Sequence, residues 1–116
     1  MHLFILDFGG TLDRISDPTA FVLALKARHP KCVVVLHTGT EKDVFQERHP
    51  ALLTTVDDLW QKPCNLPEKC TALAPDQITL ADDDDSMRRA VARVFRLAKR
   101  DIRILEAEAL PGLLLE

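Results

Sequence analysis

Tyrosine is absent from this chain, tryptophan occurs once, and aromatics make up 5% of the residues. The core must therefore be packed by aliphatic side chains rather than by stacked rings. Cysteine is scarce. Cys32, Cys64 and Cys70 are odd in number and no two stand at CxxC spacing. That argues against a disulfide framework and for reduced thiols in a cytosolic protein. Four scattered histidines supply no ligand-spacing pattern, which argues against a Cys/His zinc site. No apolar run approaches the ~20 residues of a membrane span. The chain opens without a basic stretch and cleavage site, so no signal peptide is expected. Neither sign of charge dominates: the net value is -3, which gives no drive toward nucleic acid or an anionic membrane surface. Hydrophobic residues at 47% and charged residues at 28% of 116 suit one globular domain with one core. Residues 1–116 are expected to form that domain in the cytoplasm, with the oligomeric state left open.

What is present begins with Leu3-Phe4-Ile5-Leu6-Asp7. The run is too short for a helix and suits a strand buried on both faces. Asp7 would end it, followed by Gly9 and Gly10, which let the backbone turn sharply. Ser16-Asp17-Pro18 then offers a helix cap and a first-turn proline, and Pro30 stops that helix. Cys32 to Leu36 is a second buried strand of β-branched residues, ending in His37-Thr38-Gly39-Thr40. A short helix is predicted over Glu41 to Arg48. A weaker third strand is placed within Leu53 to Leu59, centred on Thr54 to Val56. Pro67 opens a short helix to about Leu73. Ile78 to Ala81 is a further buried strand that runs into Asp82-Asp83-Asp84-Asp85-Ser86. Asp85 or Ser86 would cap the longest helix, Met87 to about Lys99, whose apolar residues fall on one face. Six basic residues lie between Arg88 and Arg100, read as a solvated face with snorkelling stems. Ile102 to Leu105 is a last strand. Ala107 to Leu115 is a final short helix or tail broken by Pro111-Gly112.

This alternation predicts an α/β, doubly wound, Rossmann-like domain. It should have five parallel strands in the order 5-4-1-2-3, with helices on both faces. In such a sheet the strand ends point one way, and ligands sit at their carboxyl edge. Asp7, Thr38, Asp82 and Asp83 come from strand ends, and Lys62 from the loop after the third strand. Clustered carboxylates raise one another's pKa unless a cation compensates, and oxygen-only clusters suit Mg²⁺. The set fits phosphate chemistry: Mg²⁺ and Lys62 to neutralise phosphoryl oxygens, Thr38 to donate, Asp7 to attack phosphorus. Acids at a helix N-terminus also complement its dipole, which accounts for Asp84 and Asp85 but not for Asp7, Thr38 or Lys62.

Asp7-Phe8-Gly9-Gly10-Thr11-Leu12 resembles the first motif of the haloacid dehalogenase-like superfamily. Val33 to Thr38, Lys62-Pro63 and Ile78 to Asp83 resemble its second, third and fourth motifs, in the same order. The resemblance implies a Mg²⁺-dependent phospho-aspartate at Asp7. It gives the metal Asp7, the Gly9 backbone carbonyl, Asp82 and Asp83, and gives the phosphoryl group Thr38 and Lys62. Phosphatases of that superfamily carry a second aspartate where Gly9 stands, as general acid and base, a role worth ~10²–10⁴-fold. Slow turnover is therefore implied. Asp13 is not expected to fill that place. The chain leaves no room for a cap domain, so an open site for a phosphorylated substrate or phosphodonor, including a protein, is implied. A second resemblance is to a response-regulator receiver domain in circularly permuted order, carried by Ile78 to Ala90 with Asp7, Thr38 and Lys62-Pro63. It implies an aspartate that accepts phosphate as a signal. A binding module without chemistry is the third alternative.

Overall fold

A computed structural model describes residues 1–116. β1 (His2–Asp7) forms where the opening apolar run predicts a strand, and β2 (Cys32–Thr38) pairs with it in parallel, Asp7 level with His37. Between them lie a 3-10 turn at Leu12–Arg14 and α1 (Pro18–Arg28). Asp17 caps α1 by accepting from the Ala20 amide at 3.0 Å, and proline takes its first turn, where no amide proton is needed.

After β2 come α2 (Lys42–Arg48) and α3 (Pro50–Thr55), then β3 (Asp58–Gln61). Here the structure corrects the sequence reading. Thr54 to Val56 is not a strand: residues 50–55 are helical, and the third strand lies further on. Two features explain this. Pro50 stops α2 but stands at the first turn of α3, the one helical position proline favours. The hydroxyls of Thr54 and Thr55 bond back to the Pro50 and Ala51 carbonyls at 2.9 and 2.8 Å, which reconciles β-branched residues with a helix. Leu52 and Val56, four apart, then reach the core.

α4 (Leu66–Leu73) is capped by Asn65 and leads to β4 (Gln77–Ala81). α5 (Asp85–Leu97) is capped by Asp84, not by the expected Asp85 or Ser86. It ends two residues before Lys99, whose φ of 56° takes the chain out of the helix. β5 (Arg103–Leu105) is the last strand, and Ala107–Leu115 continues as a 3-10 helix through Pro111.

The sheet is wholly parallel with order β3-β2-β1-β4-β5, the arrangement expected from the sequence. Alternate strand residues face opposite sides. Phe4, Leu6, Val34 and Leu36 join α1, α3 and the C-terminal 3-10 helix in one cluster of 15 buried residues. Leu3, Ile5, Val35 and Leu80 join α4 and α5 in another of 10. No helix is long and apolar enough to cross a membrane. The connections reverse direction between β1 and β4, and the crevice at such a reversal is where open α/β sheets bind ligands.

Candidate functional site

Asp7 closes β1 and Asp82 follows β4, so the two carboxylates flank that reversal. Both are buried, Asp7 at 6% and Asp82 at 1% exposure. Lys62 enters from the end of β3, anchored by its amide to the Thr38 carbonyl at 2.8 Å. Its ammonium donates to Asp7 Oδ1 at 2.9 Å and to Asp82 Oδ2 at 3.2 Å. Three strand ends far apart in sequence therefore meet at one cation. Asp83 completes the acidic group: Asp7, Asp82 and Asp83 each present an oxygen within 4.8 Å of the others.

The surrounding contacts hold these groups in place. Thr11, itself buried, donates its hydroxyl to Asp7 Oδ2 at 3.2 Å. Asp82 Oδ1 accepts from the Asp84 amide at 2.9 Å, and Arg88 grips the Asp82 carbonyl at 2.9 Å while pairing with Asp85 and Glu106. Gly10 has φ +76°, and a β-carbon there would lie 2.2 Å from Asp83 Oδ2. The positive φ favours glycine here, and the absence of a β-carbon leaves room for the Asp83 carboxylate in its present rotamer.

The electrostatics follow from burial. Desolvation pushes the Asp7 carboxyl up, Lys62 pulls it down, and the Asp82 charge adds to the rise, leaving it at about 6. Burial works against the charge on Lys62, but Asp7 and Asp82 outweigh it and hold that amine above its ordinary range. His37, beside Asp7 in register, is pushed down to about 4 by burial and by Lys62. It stays neutral at physiological pH, and its buried Nδ1 has no hydrogen-bond partner.

Thr38 stands buried at the end of β2, but its hydroxyl oxygen turns to its own loop and accepts from the Thr40 amide at 3.3 Å. Gly9 is exposed in the turn after Asp7, and a β-carbon there would touch nothing within 4 Å. Asp13 folds back on the same turn, where its Oδ1 accepts from the Gly10 amide at 2.8 Å. Its carboxylate closes the loop. Sequence reasoning placed Arg88 on the solvated basic face, whereas its side chain is only 16% exposed and turned to the site, and it passed over the buried nitrogen of His37. Arg88 had one local sign, its place three residues after Asp85; His37 had none.

Three carboxylates and one ammonium leave the site two negative charges in excess. All the donors are oxygens, and one carboxyl is already driven toward protonation. This donor set fits a hard divalent cation such as Mg²⁺. The chemistry open to the arrangement is that of an anionic nucleophile beside a fixed positive charge.

No family model matches the chain, and no curated protein matches it. Among solved structures, the chain is similar to a crystal structure of an uncharacterized protein from Corynebacterium glutamicum ATCC 13032 Kitasato. The two share a TM-score of 0.61 at 16% identity, over 97% of this chain and 93% of that one. The likeness is one of fold.

Proposed function

We propose that this chain is a Mg²⁺-dependent phosphoryl-transfer domain of the haloacid dehalogenase-like type, with Asp7 as the phosphate-accepting nucleophile. The observation that carries the reading is the convergence of Asp7, Lys62 and Asp82 on one point, with Asp83 beside them. Asp7, Asp82, Asp83 and the Gly9 carbonyl would hold the metal, which supplies charge neutralisation for a phosphoryl group. An Asp7 oxygen attacks phosphorus, and the bond from phosphorus to the leaving oxygen breaks. Lys62, at present shared by Asp7 and Asp82, is placed to follow the negative charge onto the phosphoryl oxygens. Thr11 keeps the carboxylate oriented, and the Thr38 O–H is free to donate once a phosphoryl group is there. The leaving oxygen takes its proton from solvent, because Gly9 offers none.

The test is the amide spectrum of the full chain with Mg²⁺ and beryllium fluoride, a mimic of phospho-aspartate. Shifts centred on Asp7, Lys62 and Asp82 are expected. A spectrum that does not change, or that changes equally in Asp7→Asn, removes the reading.

Gly9 favours a second reading within the same chemistry. A site without a general acid suits a phosphate acceptor whose acyl phosphate persists, as in a receiver-like signalling domain. Labelling by acetyl phosphate without turnover of aryl phosphates would select it. The open space around Gly9 allows a direct comparison. In the hydrolase reading Gly9→Asp raises aryl phosphate turnover by ~10²-fold or more; in the acceptor reading it shortens the life of the labelled protein. Loss of both metal binding and labelling would leave a binding module.

A further inference from the structure

The two helices on one side of the sheet do not close over it. Between α4 and α5 runs a groove of about 850 Å³, floored by Leu66, Met87 and Val91 and headed by Lys62. Two of the chain's five exposed large hydrophobics line it, Val94 at 41% and Leu97 at 73%. Apolar surface gathered into one groove marks an interaction site more often than scattered residues do.

The charge beside it is distinctive. Arg89, Arg93 and Arg96 follow the outward edge of α5, with Lys99 and Arg100 beyond its end, and no acidic residue lies between Ser86 and Arg100. Arg89 pairs with Asp85 and Arg100 bonds Thr71, but no ion pair engages Arg93, Arg96 or Lys99. A protein with net charge -3 thus carries a concentrated positive stripe alongside this groove.

We propose that the α4–α5 groove docks an amphipathic helix of a partner protein whose apolar face fills the groove and whose acidic face meets the α5 arginines. The shape fits: α5 is 13 residues, about 20 Å, which matches three to four turns of a partner helix. The recognition fits as well, since apolar anchors at i, i+3, i+4 and i+7 fill such grooves while complementary charge fixes orientation. A nucleic acid would satisfy the arginines and leave the apolar floor uncovered. The proposal does not depend on whether Asp7 takes up phosphate.

The experiment titrates ¹⁵N-labelled full-length protein with a synthetic 18-residue amphipathic helix, leucine on one face and glutamate on the other. A counterpart with lysine for glutamate serves as control. Saturable shifts at Ala90, Val94 and Leu97 are expected with the acidic peptide alone. Leu97→Glu should weaken binding by about tenfold or more. The pair Arg93→Glu and Arg96→Glu should lose the acidic peptide and gain the lysine one. These side chains are exposed, so the variants should keep the amide pattern of the rest of the chain, which the same spectra check. No saturable shift at millimolar peptide overturns the proposal, as does equal binding of both peptides. Sedimentation showing a dimer that Leu97→Glu disrupts would assign the groove to a second copy instead. The same amides shifting with phosphatidylserine vesicles but not with peptide would assign it to a membrane surface.

Discussion

The two ends of the sheet carry similar numbers of charges and treat them in opposite ways. At the amino end His2 bonds Thr79, the N-terminus pairs with Asp76, and Arg103 forms a fork with Glu116. Thr79 is buried, but the ion pairs lie at or near the surface, where water does most of the solvating. At the carboxyl end Asp7 and Asp82 are buried and Lys62 is half-buried, and they solvate one another. The difference teaches where the fold spends stability. An exposed pair is nearly neutral, whereas a buried charge is tolerable only with its partners in place. Three carboxylates around one ammonium stand at the edge where open α/β sheets bind ligands, a costly arrangement for the fold alone.

The comparison can be broken most forcefully at Lys62. Lys62→Met leaves two buried carboxylates without a cation and should destabilise the metal-free protein by about 3–5 kcal/mol at neutral pH. Urea unfolding measures this. The loss should shrink near pH 5, where Asp7 takes up a proton. If Lys62→Met costs no more than a surface substitution, the carboxyl end is not the strained one.

The next effect has the opposite sign. Asp7 titrates at about 6 in the folded chain against 3.8 as its ordinary value. Between those two pH values the folded state binds a proton that the unfolded state does not. Stability from this group is therefore greatest at low pH and lost as pH rises through 6. Asp7→Asn removes that loss. In EDTA at pH 8 it should stabilise the protein by on the order of 2–3 kcal/mol, and the gain should fade toward pH 4. Unfolding midpoints of both proteins across pH 4–8 measure it. Parallel pH profiles would show that Asp7 is not held out of its ordinary range.

The smallest effect belongs at the other end. Arg103→Ala breaks the exposed fork to Glu116 and should cost less than about 1 kcal/mol, less still in high salt. A cost comparable to that of Lys62→Met would erase the distinction between the two ends.

The sequence disclosed these features unevenly. β1, β2 and β4 were legible because each is a mainly apolar run, with Thr79 alone breaking β4, that gives way to a polar group, and the strand order followed from short right-handed connections. The site's main residues were legible for the same reason: Asp7, Thr38 and Asp82 stand where those runs stop. β3 was misplaced because Leu-Leu-Thr-Thr-Val has strand composition, and only the hydroxyl-to-carbonyl bonds of Thr54 and Thr55 reconcile it with a helix. The true strand, Asp58-Leu-Trp-Gln, is short, lies at the sheet edge and buries only Leu59 and Trp60. The grip of Arg88 on the Asp82 carbonyl and the seat of Asp83 on Gly10 are tertiary events with no local signature.

Those two adjacent glycines also bear on how this molecule can change over generations. Gly10, at φ +76°, strains any residue with a side chain, and a β-carbon there would push the exposed Asp83 carboxylate aside, whereas Gly9 opens on empty space. Glycine and aspartate codons ending in a pyrimidine differ by one base. Where the Gly9 codon is of that kind, a second carboxylate beside Asp7 is a single mutation away and meets no steric barrier. The neighbouring position is strained by its own backbone, and so Gly9 is where this turn takes a side chain most readily.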